Sequence, residues 1–311
     1  MLKMDVKAVE IDISRGSSTD SLEGDGKYYA SGSAKITLTR SYPLGLLGYE
    51  SATHTPQGEK IGTIKHKGKP QTGFNDSLKS GSCSYITVYF SKLDRDYEKP
   101  LLITFDGKEY YYYASDDYWT KDDNSGQISL LKALDKQNCV RRNAHVVNIC
   151  NSDPPSYRCP SCADMNIGVQ SVDEKNDYKR VTHSISGTDK IDSIRNGSST
   201  IIPSLGLESV TVYWYPLIDG SPLLICLGGG WIKRTSKTSN GWEQVKKNPL
   251  SNENDSPNIL PLLQKIEEET DELSIGTKAG ISIASICTGG AAIGVGVWRG
   301  PSLLSALKAA L

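Results

Sequence analysis

Tyr28–Gly58 reads YYASGSAKITLTRSYPLGLLGYESATHTPQG, and Tyr157–Gly187 reads YRCPSCADMNIGVQSVDEKNDYKRVTHSISG. Laid on each other without a gap, at an offset of 129 residues, they share Tyr28/Tyr157, Ala34/Ala163, Tyr49/Tyr178, Thr53/Thr182, His54/His183 and Gly58/Gly187. The likeness continues downstream. Ile86-Thr87-Val88-Tyr89-Phe90 answers Val210-Thr211-Val212-Tyr213-Trp214, and Pro100-Leu101-Leu102-Ile103 recurs as Pro222-Leu223-Leu224-Ile225. Tyr110 and Trp119 answer Trp231 and Trp242. A repeat of roughly 130 residues is the size of a whole domain and not of a solenoid unit. Residues kept in both copies are most simply explained by the fold, so a functional site is expected where the copies differ.

Working outward, alternating apolar residues at Val9, Ile11 and Ile13, then at Ile36 and Leu38, read as strands, as do Tyr85–Phe90 and Leu101–Phe105. Asp106-Gly107 between two β-rich runs is a hairpin signal. Gln127–Leu134 reads as a short helix, and Pro257–Glu269 as its counterpart with an apolar face at Ile259, Leu262, Leu263 and Ile266. The expected fold is mainly β, as β-sandwich-like or α+β modules. Two tandem homologous domains, 1–137 and 138–273, are followed by a C-terminal apolar helix and short tail, 274–311. The chain has 311 residues, 37% hydrophobic, with 16 Tyr and 5 Trp, enough for two modest cores. A net charge of −1 with evenly mixed signs argues against broad nucleic-acid binding. Gly228-Gly229-Gly230 leads into a strand, so it is no phosphate cradle, and no small-molecule substrate or cofactor is expected.

Cys139, Cys150, Cys159 and Cys162 fall within 24 residues at the junction of the copies. Cys159-Pro160-Ser161-Cys162 has the spacing of a zinc knuckle or a redox motif, and with Cys139 and Cys150 it makes a candidate four-thiolate set. The other gaps do not form paired knuckles. If the domains face an oxidising compartment, disulfides are the natural reading and no metal is expected. Cys83 and Cys226 read as small core residues. His54 and His183 recur, but no acidic residue or cysteine recurs beside them to make a dyad, so they read as structural and no enzyme activity is expected. His66 and His145 are unrepeated and are expected at the surface.

Tyr110, Tyr111, Tyr112 and Tyr113, with Trp119 beyond, form an aromatic run. In a strand one pair fills the core and the other stands exposed as a candidate binding surface; a cross-strand ladder is the alternative. Asn75, Asn196 and Asn254 head glycosylation sequons. Met1–Ser14 lacks the apolar stretch of a secretory signal. Ala279–Trp298 is 20 residues without a charge, long enough to cross ~30 Å of hydrocarbon, and Gly276/Gly280 and Gly290/Gly294 have the spacing of close helix packing in lipid. Acidic residues precede it and Arg299 and Lys308 follow, which places the tail in the cytosol and the domains outside.

Val88-Tyr89-Phe90 with Pro100–Ile103, their second-copy counterparts, and the junction of Asn138-Cys139, Asn143-Ala144-His145 and Tyr157-Arg158-Cys159 with Cys162 carry a resemblance over most of residues 5–245. The chain resembles the expanded families of secreted and surface proteins of piroplasm parasites (Theileria and relatives), built from tandem β-rich modules. The resemblance implies a host-facing role without enzyme activity, and it assigns no binding residue. Such proteins usually begin with a signal peptide, which this sequence lacks. The resulting expectation is a membrane-anchored, non-catalytic protein that displays two β modules to an unknown protein partner or to immune exposure. The alternative is a soluble intracellular adaptor whose C-terminal helix packs in a core or dimer interface.

Overall fold

A computed structural model describes residues 8–16, 28–74, 77–78, 83–115, 117–122, 129–153, 155–174, 177–203, 205–236, 241–245, 250, 253–254 and 256–275. The chain divides into two compact units, Met1–Asn143 and Ala144–Leu311. The first holds β1 (Ala8–Asp12), β2 (Tyr28–Ser31), β3 (Ala34–Ser41), β4 (Tyr49–Pro56), β5 (Lys60–His66), β6 (Lys69–Gln71), β7 (Ile86–Ser91), β8 (Leu102–Phe105), β9 (Glu109–Ser115), β10 (Tyr118–Lys121) and helix α1 (Leu130–Arg142). The second holds β11 (Ala144–Asn148), β12 (Ser156–Arg158), β13 (Asn166–Glu174), β14 (Tyr178–Ser184), β15 (Lys190–Asn196), β16 (Ser199–Ile202), β17 (Ser209–Tyr215), β18 (Ser221–Leu227), β19 (Gly230–Arg234), β20 (Trp242–Gln244) and helix α2 (Ser256–Ile275).

The two units repeat one topology. A seven-stranded sheet runs β10-β9-β8-β7-β4-β3-β2 in the first and β20-β19-β18-β17-β14-β13-β12 in the second. A three-stranded sheet runs β1-β5-β6 and β11-β15-β16, with its first pair parallel in each case. Even the irregularity recurs: the parallel pair shifts register between Val9 and Glu10, and again between His145 and Val146. Thr53 meets Thr87 at 2.9 Å across β4 and β7, as Thr182 meets Thr211 at 3.2 Å across β14 and β17.

The gapless overlay needs one correction. Tyr29 lies opposite Ile36 as Tyr157 lies opposite Ile167, so Tyr29 and not Tyr28 is the counterpart of Tyr157. The β2–β3 turn is Gly32-Ser33, whereas 159–165 separates β12 from β13, and a shift of one residue turns a strand side chain to the other face. Ala34 therefore opens β3, while Ala163 sits in the longer loop.

In the first unit the alternation of apolar residues builds two layers of core. One face of the large sheet (Ile36, Val88, Ile103, Tyr111) packs with Val9, Ile11, Ile61 and Ile64 of the small sheet. The other face (Tyr49, Leu102) packs with Ala133 and Leu134 of α1. In the second unit Ile259, Leu263 and Ile266 of α2 pack with Tyr178, Tyr213, Leu224 and Trp231. Each such fully buried side chain stabilises by about 1.5–3 kcal/mol relative to exposure.

Helix α1 starts and ends later than the apolar pattern suggests. Ser129 caps it by accepting from the Lys132 amide at 3.4 Å, and Asn143 ends it in a left-handed conformation with its amide on the Cys139 carbonyl at 3.1 Å. Beyond Leu134 it is carried by buried Asp135, Gln137 and Asn138, which no apolar period reveals. No helix among the described residues is long and apolar enough to cross a membrane, and residues 279–298 lie outside the described set.

Candidate metal centre

The recurring histidines are parts of the frame. The Tyr29 hydroxyl meets His54 Nδ1 at 3.0 Å, and the Tyr157 hydroxyl meets His183 Nδ1 at 3.3 Å, with the rings edge-on in both units. Burial pushes the His54 pKa down to about 3 against a smaller opposing pull from Asp12, and burial pushes His183 down to about 4. Both rings are neutral at physiological pH and sealed beneath their sheets.

The units diverge at one corner. Val9 of β1 is a core residue, but the same register position on β11 is His145. Ser31 ends β2 with its hydroxyl on the Glu10 amide at 3.1 Å, and the same position after β12 is Cys159. The two-residue turn after Ser31 is replaced by the loop carrying Cys162. These three departures from the repeat converge: the ligand atoms of His145, Cys159 and Cys162 all lie within 4.8 Å of one another.

Local backbone geometry explains the convergence. The Cys159 amide donates to Met165 O at 2.8 Å, closing the hairpin neck. The Ala163 amide then donates back to Cys159 O at 2.9 Å, with Ala163 at φ 61°, so Cys159-Pro160-Ser161-Cys162 curls into a tight loop. Cys162 Sγ stands 3.6 Å from His145 Nδ1, and His145 Nε2 faces Asp189 Oδ2 at 3.9 Å. His145 is 5% exposed, which corrects its expected surface position: it takes an inward site that β1 gives to valine. Two thiols and an imidazole so arranged are a donor set for a borderline-soft divalent cation.

Within the second unit the cluster differs from the four-cysteine set: Cys150 turns to Asn196 Oδ1 at 3.0 Å, and His145 joins Cys159 and Cys162. No disulfide joins the six described cysteines; Cys287 lies outside the described residues. Sequence reasoning read the Cys159–Cys162 spacing but missed His145, whose only signal was its opposition to Val9 in a correctly registered repeat.

The aromatic run splits as a strand dictates, but neither half is free. Tyr111 is buried and Tyr113 packs on the same core, beneath the Arg141 guanidinium at 3.5 Å from its ring centroid. Tyr110 and Tyr112 pack on the core beneath α1, and Trp119 is fully buried with its Nε1 donating to Gln71 Oε1 at 2.9 Å. The expected exposed pair is covered because α1 lies over that face. Of the sequons, Asn196 is 5% exposed and accepts from Cys150, so a glycan does not fit there. Asn254 is exposed and pairs with Arg180, while Asn75 lies outside the described residues. No family model matches the chain, and no curated protein or solved structure matches it.

Proposed function

We propose that the chain is a non-catalytic display protein: one ancestral β module, duplicated, anchored through 279–298 and presented for protein contact. The shared strand order and register of the units support duplication. The observation that carries the contact role is a loop in which the copies differ. Between β3 and β4 the first unit presents Tyr42 at 68% exposure, Leu44 at 92% and Leu47 at 45%. In the second unit the sequence between β13 and β14 is Lys175-Asn176-Asp177, with no apolar residue. The apolar loop is internally braced, Leu46 N to Pro43 O and Tyr49 N to Leu46 O at 3.1 Å each, with the Lys92 ammonium 4.8 Å from the Tyr42 ring centroid. A rigid, exposed tyrosine and leucines suit a protein partner, because little entropy is lost on docking. The resemblance to piroplasm surface families belongs to the same proposal.

The test is the full chain in its own cell. Display requires that protease added outside intact cells removes both units and that the chain partitions into detergent, whereas a version ending at Ser274 stays in the aqueous phase and folds. A full chain that is aqueous and protected from external protease would sink the anchor.

A second reading, an intracellular adaptor, is favoured by the thiols. Six described cysteines outside any disulfide and a sequon asparagine turned inward suit a reducing compartment. The same protease experiment separates the two.

A further inference from the structure

We propose that His145, Cys159 and Cys162 of the second unit bind a zinc ion. The inference is independent of the display reading and holds in either compartment. A tetrahedral ion with Zn–S of ~2.3 Å and Zn–N of ~2.05 Å sets sulfur and nitrogen about 3.6 Å apart. The Cys162 Sγ to His145 Nδ1 separation is 3.6 Å. Coordination through Nδ1 leaves Nε2 facing the Asp189 carboxylate, with Oδ2 3.9 Å away, longer than a hydrogen bond.

Two thiolates and one imidazole fill three of the four tetrahedral positions, and a further donor completes the sphere. On binding, the two thiols release their protons. The ion then ties β11 of the small sheet to the β12–β13 loop of the large one. The first unit makes the same junction with Val9 and the Ser31 hydroxyl, without a metal ligand at either place.

Zinc analysis and X-ray absorption on the full chain, purified under reducing conditions from zinc-supplemented cells, test this. The expected result is about one zinc per chain with at least two sulfur neighbours and one nitrogen. Cys150→Ser keeps the zinc, and Cys159→Ser loses it. The proposal is overturned by a chain that refuses added zinc, by a Cys159–Cys162 disulfide in that preparation, or by fewer than two sulfurs around the ion. Because the absorption spectrum is taken on the wild type, a variant that fails to fold does not leave the ligand set undecided.

Discussion

At the residue scale, the paired histidines set how the protein responds to acid. The unfolded chain protonates its histidines near pH 6.5, whereas burial holds His54 at about 3 and His183 at about 4. Between those limits the unfolded state binds a proton that the folded state refuses. Stability is therefore fully present above pH 6.5 and falls as pH drops toward the folded values, by about 1.4 kcal/mol per pH unit for each histidine. Denaturant midpoints measured from pH 7.5 to 4.5 should show this decline, and His54→Gln should remove one histidine's share of the slope. Parallel profiles for variant and wild type would show that His54 titrates normally. Gly73 supplies a backbone test of the same kind. Its φ is 100°, and a Cβ there would lie 1.8 Å from the Trp119 carbonyl oxygen. Gly73→Ala must push two backbone segments apart as well as strain φ, so it should cost more than about 3 kcal/mol. An unchanged melting temperature would mean that the chain does not pass Trp119 at this distance.

At the scale of elements, α1 shows what a sequence pattern conveys and what it omits. The apolar period ends at Leu134, so the helix was expected to stop there. Its second half is held by polar anchors: the Tyr49 hydroxyl donates to Asp135 Oδ1 at 2.6 Å in a buried site, and Arg141 covers Tyr113 while donating to Pro100 O. A carboxyl bound by a tyrosine 86 residues away has no local signature. Strands fared better, because alternation is a local property and one face of each large sheet is dry. Asp135→Ala should cost about 2–3 kcal/mol, since it leaves the Tyr49 hydroxyl buried without this acceptor. Tyr49→Phe should cost less, and the pair should couple by about 1 kcal/mol or more in a double-mutant cycle of unfolding free energies. Additive effects would mean that the hydrogen bond adds nothing beyond packing.

At the scale of the whole molecule, the repeat was legible because the Tyr, Thr, His and Pro-Leu-Leu-Ile positions recur in order. Its register was not fully legible, because the two-residue turn after Ser31 and the longer loop after Arg158 shift the overlay within one hairpin. That shift set Cys162 against Ser33 and hid the longer loop that carries it, while His145, unrepeated, gave no local sign that it turns inward beside Cys159 and Cys162. Once the units are aligned by hydrogen-bond register, their differences gather in two places: the Cys/His corner of the second and the apolar β3–β4 loop of the first. A fold repeated with such fidelity has no internal need for Leu44, which at 92% exposure buries nothing. Leu44→Asp should therefore change stability by no more than about 0.5 kcal/mol. If the loop docks on a protein, losing one buried leucine from that contact should weaken it about 10–100-fold. A photo-crosslinking residue in place of Leu47 in the full chain, in its native cell, should yield an adduct of discrete mass that Leu44→Asp suppresses. The same residue in place of Asp177 should yield none, because that hairpin is the short, polar counterpart. Equal adducts at both positions, or none at Leu47, would remove the loop from the contact surface and leave its exposed leucines without a role.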